Sequence, residues 1–325
     1  MTNKNVIWKP SEDFLQNSNI ALLMKKLNFT DYREFLDWSV KDIREFWEVI
    51  LEDMNFQWHK KYHTLLDLNN GFPWAKWFLG GETNITTNCL ERHVLSHRKD
   101  QVALIWESDE GNKISFTYSQ LSKKVNQLSN AMRNAGLKKG DVAGVFLPLL
   151  PEAVITMYAC FKNGIAVLPI FSGFGPEGLA ERLIHSKAKI LFTSNGAVRR
   201  GKVIPLKNTV DTALQQETSI EKVIVVERAD LEIPINKERD FTWNEFISTE
   251  SEIAETENLP ADSISMIMYT SGTTGKPKGT VYSHAGLMSG PGRELKYCFD
   301  MRDNDTMFWV TDFGWVMAPY ELVGS

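Results

Sequence analysis

The sequence predicts an α/β fold: a largely parallel, doubly wound sheet with an N-terminal helical extension. Short apolar runs alternate with helical stretches from residue 142 to residue 227, the order that βαβ crossovers produce. Pro151 and Pro176 stand at first-turn positions and Gly164 follows a helix end, as capping physics prefers. Ahead of them, residues 31–54 carry Phe35, Leu36, Ile43, Phe46, Trp47, Ile50 and Leu51 at mixed three- and four-residue spacings, which predicts two helices with an aromatic face.

Ser39, with Asp42 three places on, is the expected cap between those two helices. Residues 69–97 are loop-rich, with Gly80-Gly81 before another helix. Strand-like runs at 102–107 and 112–117 flank Ser108-Asp109-Glu110-Gly111 and predict a hairpin. Thr117 with Gln120 forms a capping-box signature, after which Leu121, Val125, Leu128, Met132 and Ala135 continue as one helical stripe that Gly136 ends. The expected series is then strand 142–147, helix 151–163, strand 165–170, helix 176–186, strand 190–193, helix 208–216 and strand 223–227. Residues 228–260 are polar and acidic and read as a solvated connection holding one short helix at 243–246.

Composition bounds the function. Apolar residues at 43% and charged residues at 24% describe an ordinary globular chain, and a net charge of −5 gives no support for broad nucleic-acid affinity, so any anion site is local. Five tryptophans, Trp38, Trp47, Trp58, Trp74 and Trp77, fall close together and imply that the N-terminal region packs against something. Cys89, Cys160 and Cys298 form no disulfide framework and no CxxC pair; with no apolar signal core behind Lys4 and Lys9, the expectation is a cytoplasmic protein. The apolar run 142–161 is interrupted by Pro148, Pro151 and Glu152 and reads as a strand, a turn and a buried helix, not a membrane span. Cys89, His93 and His97 stand four apart and invite a zinc reading, but no fourth ligand is nearby; structural histidines, including His59 and His63, are preferred.

The stretch YTSGTTGKPKGT, residues 269–280, carries most of the chemistry. Gly272, Gly275 and Gly279 allow close backbone approach, Thr270, Ser271, Thr273 and Thr274 supply hydroxyl donors, and Lys276 and Lys278 supply positive charge, a combination suited to phosphate. It is not a Walker A loop: Thr270 stands where that spacing needs glycine, and Pro277 where it needs a hydroxyl. A surface turn rich in glycine, threonine and proline is the plain alternative. His284, four residues after Thr280, is either a ligand contact or a helix-start residue.

The string closely resembles the signature of the adenylate-forming superfamily, which includes acyl-CoA synthetases, luciferases and peptide-synthetase adenylation domains. The resemblance implies a loop that grips the pyrophosphate part of ATP while a carboxylate attacks the α-phosphorus. Trp77, Phe78, Gly80, Gly81, Asn84, Asn88, Cys89, Leu90, Arg92 and His93 resemble the stretch that joins a helical extension to the main domain in acetyl-CoA synthetases. That implies an N-terminal extension and linker over 1–97 and an incomplete AMP-binding domain over 98–325.

Two further segments gain meaning from the same likeness. A basic loop such as VRRGKVIPL, residues 198–206, is usually a solvated turn, yet acetyl-CoA synthetases carry a similar loop that contacts the nucleotide phosphates of CoA; Arg199, Arg200, Gly201 and Lys202 match it, and the planar arginine fork suits phosphate. WVTDFGWVM, residues 309–317, reads alone as core, but Asp312, Gly314 and Trp315 match a DxGW segment beside the acyl pocket, which places Trp315, Val316 and Met317 at its lining. Met317, Ala318 and Pro319 depart from the acetate enzymes, which continue with threonine and Gly-His, so acetate itself is in doubt.

The family pattern also has a GxTE-type stretch whose glutamate helps bind Mg2+, a ribose-binding aspartate, a hinge and a lid lysine, none of which these 325 residues contain. No catalytic residue and no metal ligand is therefore assigned. The expected reading is the N-terminal portion of an acyl-CoA synthetase that uses ATP, CoA and a small carboxylate, is inactive alone, and depends on a complementary polypeptide or self-association. A non-catalytic nucleotide- or CoA-binding module, or a decayed remnant, is the alternative.

Overall fold

A computed structural model describes residues 7–270 and 277–325. The chain divides into two compact units, Met1–Phe56 with Met288–Phe308 and Gly324–Ser325, and Gln57–Leu287 with Trp309–Val323.

The first unit begins with helices α1 (Glu12–Asn17), α2 (Asn19–Lys26), α3 (Tyr32–Lys41) and α4 (Ile43–Asp53). Ser11, Ser18, Asp31 and Asp42 cap them by accepting first-turn amides. The break between α3 and α4 is thus made by Asp42, whose carboxylate accepts from the amides of Arg44 and Glu45. Ser39, the residue expected to cap, lies inside α3 and donates its hydroxyl back to the Leu36 carbonyl. Leu23, Phe35 and Ile50 form the buried centre, wrapped by Phe29, Trp38, Phe46, Trp47 and Tyr297. Asp53 accepts from Lys26 Nζ at 2.8 Å, Lys296 Nζ at 2.6 Å and Tyr297 Oη at 2.5 Å. Burial alone would raise that carboxyl's pKa, but these three donors outweigh it and hold the group well below the usual carboxylate range.

The second unit opens with β1 (Thr64–Asp67), which pairs antiparallel with β2 (Lys76–Leu79), followed by β3 (Glu82–Thr83) and the helical turn α5 (Arg92–Val94). β4 (Val102–Glu107) and β5 (Lys113–Thr117) form the expected hairpin, and α6 (Tyr118–Asn134) starts on a complete Thr117–Gln120 capping box. Then come β6 (Val142–Phe146), α7 (Pro151–Asn163), β7 (Ala166–Pro169), α8 (Pro176–Ser186), β8 (Ile190–Ser194), β9 (Ala197–Arg199), β10 (Lys202–Ile204), α9 (Leu206–Ala213) and β11 (Lys222–Val226). α7 starts on Pro151 and ends at Gly164, whose φ of 66° is the left-handed cap that glycine favours.

Two of the strands that sequence reading did not predict lie in the acidic connection. Within the acidic connection, β12 (Asp240–Thr242) joins the sheet just before α10 (Trp243–Ile247), and β13 (Leu259–Pro260) pairs with β3. β12 is three residues long, too short for an alternating pattern, and its Asp240 reads as solvated until Lys207 and Arg239 are seen to neutralise it. β14 (Ile264–Thr270), β15 (Lys278–Ser283), α11 (His284–Tyr297) and α12 (Met317–Gly324) complete the chain.

The main sheet has the order β12-β11-β8-β6-β7-β14-β15, parallel throughout except that β15 runs antiparallel to β14. β6, β7 and β8 are apolar and almost wholly buried because helices cover both faces of a parallel sheet. From β6 the chain steps to β7 on one side and then to β8 on the other. The C-terminal ends of β6 and β8 therefore flank a topological switch point, where connections diverge and leave a crevice. No helix among the described residues is long and apolar enough to cross a membrane.

Candidate functional site

Three segments gather at the C-terminal edge of the parallel strands. The first leaves β14. Its pairing with β15 continues to Tyr269↔Gly279 and Thr270↔Lys278, so Lys278 and Gly279 belong to a strand and Thr270 is the last residue of its partner. Ser271, Gly272, Thr273, Thr274, Gly275 and Lys276 lie outside the described residues. Tyr269 is held from α8: its hydroxyl shares a 2.5 Å hydrogen bond with His185 Nδ1, and the Arg182 guanidinium lies 5.8 Å from its ring and 3.9 Å from that of Phe174.

The second segment is the basic hairpin that follows β8. β9 and β10 pair from Ala197↔Ile204 to Arg199↔Lys202, leaving a two-residue turn of Arg200 at φ 52° and Gly201 at φ 73°. Positive φ at both central residues matches the twist of a tight hairpin; Gly201 adopts it without strain, Arg200 at a small cost. Arg199, Arg200 and Lys202 are exposed, and none of them forms an ion pair among the described residues. Three unpaired cations in four residues at a switch point are chemically equipped for a polyanion.

The third segment is the DxGW turn. Asp312 accepts from Ser172 Oγ at 2.6 Å and from the Gly314 amide at 2.8 Å, which ties the turn to the residues after β7. Gly314 has no room for a side chain: a Cβ there would stand 2.1 Å from the Phe171 nitrogen. The Trp315 ring lies 5.9 Å from Phe171 and is 58% exposed, while Val316 and Met317 are half-buried at the start of α12. A partly open aromatic wall results, built by Phe171, Phe174 and Trp315.

Other candidates are buried or half-buried. His284 is buried at the start of α11, accepts the Ile85 amide on Nδ1 and packs on Phe161; burial first, then Lys139, pushes its pKa down to about 3, so it is a neutral core residue. Cys89 donates its thiol to the Val323 carbonyl, and burial raises its pKa to about 12. The His93 ring packs on Tyr118 at 4.6 Å. Among the described residues no group of three or more His, Cys, Asp or Glu side chains is placed to hold a metal. Sequence reasoning missed Phe171, Ser172, Phe174, Arg182, His185 and Asn195. They lie in three stretches, 171–174, helix α8 and the residue after β8, none of which carries a recognisable motif.

The "AMP-binding enzyme" family model matches residues 90–325, and the "Acetyl-coenzyme A synthetase N-terminus" model matches residues 32–89. The chain is 37% identical to an acetyl-coenzyme A synthetase of Methanothrix thermoacetophila over 98% of its own length and 48% of that protein's. It is 38% identical to one of Pasteurella multocida over 97% of its length and 47% of that protein's. In structure it resembles acetoacetyl-CoA synthetase from Streptomyces lividans, with a TM-score of 0.89 at 24% identity, over 98% of this chain and 50% of that one. The chain thus spans about half the length of the relatives it matches. It belongs to the AMP-binding enzyme family, with an acetyl-coenzyme A synthetase-type N-terminal region preceding that domain.

Proposed function

We propose that this chain supplies the phosphate, CoA and acyl contacts of an ATP-dependent acyl-CoA synthetase. In that reaction a carboxylate displaces pyrophosphate from ATP to give an acyl-adenylate, and the CoA thiol then displaces AMP. The observation that carries the reading is the convergence of three segments on one sheet edge: the β14–β15 strand ends that bear YTSGTTGKPKG, the unpaired cations at Arg199, Arg200 and Lys202, and the aromatic wall at Phe171 and Trp315. Thr270 to Gly279 would face the ATP phosphates, Arg199 to Lys202 the CoA nucleotide, and Trp315, Val316 and Met317 the acyl group. Met317 stands where the acetate enzymes carry threonine, so acetate itself is not assigned as the acid. Mg2+ would enter with ATP, as part of the substrate.

Orientation and preorganised charge supply most of the rate enhancement in such reactions, and these 325 residues carry no ribose clamp and no lid lysine. The purified chain is accordingly proposed to bind nucleotide without turnover, and to act in the cytoplasm with a complementary polypeptide or a second copy. The open edge of β15, with Val281 exposed, is where such a partner would extend the sheet. Calorimetry with ATP and with CoA, beside an assay of carboxylate-dependent AMP release, tests the reading. Binding without release fits it; release by the chain alone refutes the inactivity; failure to bind either ligand leaves only a decayed remnant.

A further inference from the structure

The basic hairpin is too short to aim itself. Its strands hold three residues each, and a two-stranded hairpin of that size has little stability of its own. Its direction has to come from its foot, and the foot is built around one buried amide. Asn195, 4% exposed, directly follows β8. Its Oδ1 accepts the amides of Gly196 at 2.8 Å, Arg228 at 2.9 Å and Ala229 at 3.1 Å. Its Nδ2 donates to the carbonyls of Ala229 at 2.7 Å and Leu231 at 3.2 Å. The backbone contributes as well: the Asn195 amide donates to Val226 and its carbonyl accepts from Lys207. One side chain therefore fastens the entry of the hairpin to the segment after β11 and to nothing at the tip.

The surroundings make that attachment decisive. A Cβ on Gly196 would stand 3.1 Å from the Ile204 carbonyl, 3.2 Å from Val203 and 3.3 Å from Ala229, so the hairpin's exit strand and the 228–231 segment close tightly over the foot. The nearby Arg228 guanidinium is committed elsewhere, to Glu110 at 2.8 Å and over the Trp106 ring at 5.5 Å. The positive charge of the hairpin is thus confined to Arg199, Arg200 and Lys202, and its position follows from the amide beneath.

We propose that Asn195 is a positioning residue that aims the basic hairpin at the CoA nucleotide. This rests on the reading that the hairpin contacts CoA. Removing the amide would leave the three cations in place but let them wander, so that CoA binding has to order them. The consequence is a loss of CoA affinity of about tenfold for Asn195→Ala, with ATP affinity unchanged. Asn195→Asp keeps the three acceptor contacts and loses the two donor contacts, so it recovers part of the loss.

The test is calorimetry of the full chain and of Asn195→Ala, Asn195→Asp and Arg199→Ala with CoA and with ATP, together with amide hydrogen exchange. Support is a selective CoA loss in Asn195→Ala, partial recovery in Asn195→Asp, and faster exchange over residues 197–204 with β11 unchanged. Equal CoA binding by Asn195→Ala and the parent chain overturns the inference. So does a parallel loss of CoA and ATP binding with faster exchange in β11, which would make Asn195 a general fold residue. If the parent chain binds no CoA, the CoA reading fails by itself, and exchange still decides the orienting role: faster exchange confined to 197–204 upholds it, and unchanged exchange overturns it.

Discussion

The turn at residues 312–315 and the hairpin of β9 and β10 stand at the same edge of the sheet, yet they are specified by opposite means. At the turn, the backbone of Phe171 comes so close that only a glycine fits at 314, and Asp312 is bonded on both sides. At the hairpin, the tip is exposed, its cations form no ion pair among the described residues, and a non-glycine residue sits at positive φ. Packing fixes the first; the second is anchored below its strands, and its exposed tip is the part proposed to meet a ligand. A loop's function can therefore sit where its stability does not, which is how binding loops on a rigid sheet are generally built.

That contrast can be broken by substitution. The largest effect is expected just beneath the hairpin, where buried Lys207 bonds both Asp211 oxygens at 2.7 Å and Asp240 at 2.8 Å. Lys207→Met leaves Asp240 buried with one partner fewer, and denaturant unfolding should register a loss of about 3–5 kcal/mol. Gly314→Ala comes next, because its new methyl group must displace backbone; a loss of about 1–3 kcal/mol is expected, accompanied by a changed Trp315 fluorescence.

Acid sharpens the comparison from the foot of the hairpin. Burial would raise the Asp240 pKa, but hydrogen bonds from Arg239, Lys207 and the Asn236 amide outweigh it and lower the value. A depressed carboxyl contributes stability that is present above its unfolded pKa near 3.8 and is lost as pH falls through the folded value. Unfolding midpoints of the parent chain and Asp240→Asn should therefore differ at neutral pH and begin to converge only as pH falls below about 4. The smallest stability effect belongs to the tip: Arg199→Ala and Lys202→Ala should each change stability by no more than about 0.5 kcal/mol while weakening CoA binding about tenfold. Equal stability losses at the tip and at Gly314 would erase the distinction.

Much of this was legible in the chain. The prolines at 151 and 176, the glycine at 164 and the Thr117–Gln120 box announce their helices because capping is local chemistry, settled within four residues. The continuous apolar runs of β6, β8 and β11 announce a parallel sheet because both faces are buried. The candidate phosphate loop at 269–280 and the basic run at 199–202 could be picked out because both are written in consecutive residues. The strand β15 was hidden by the same loop signature, which drew Lys278 and Gly279 into the turn, and β12 was hidden by the acidic surroundings of its three residues.

The sequence by itself determined helices such as α3, α4, α6, α7 and α8, the strands β6, β7, β8 and β11, and the types of group available to bind anions, since each depends on neighbours along the chain. Only the tertiary structure decided that Asn195 fastens residues 228–231, that Ser172 meets Asp312 and that His185 reaches Tyr269. Those pairs are 34, 140 and 84 residues apart. Nothing local encodes them; they exist because the crossovers of a parallel sheet bring segments distant in the chain into contact.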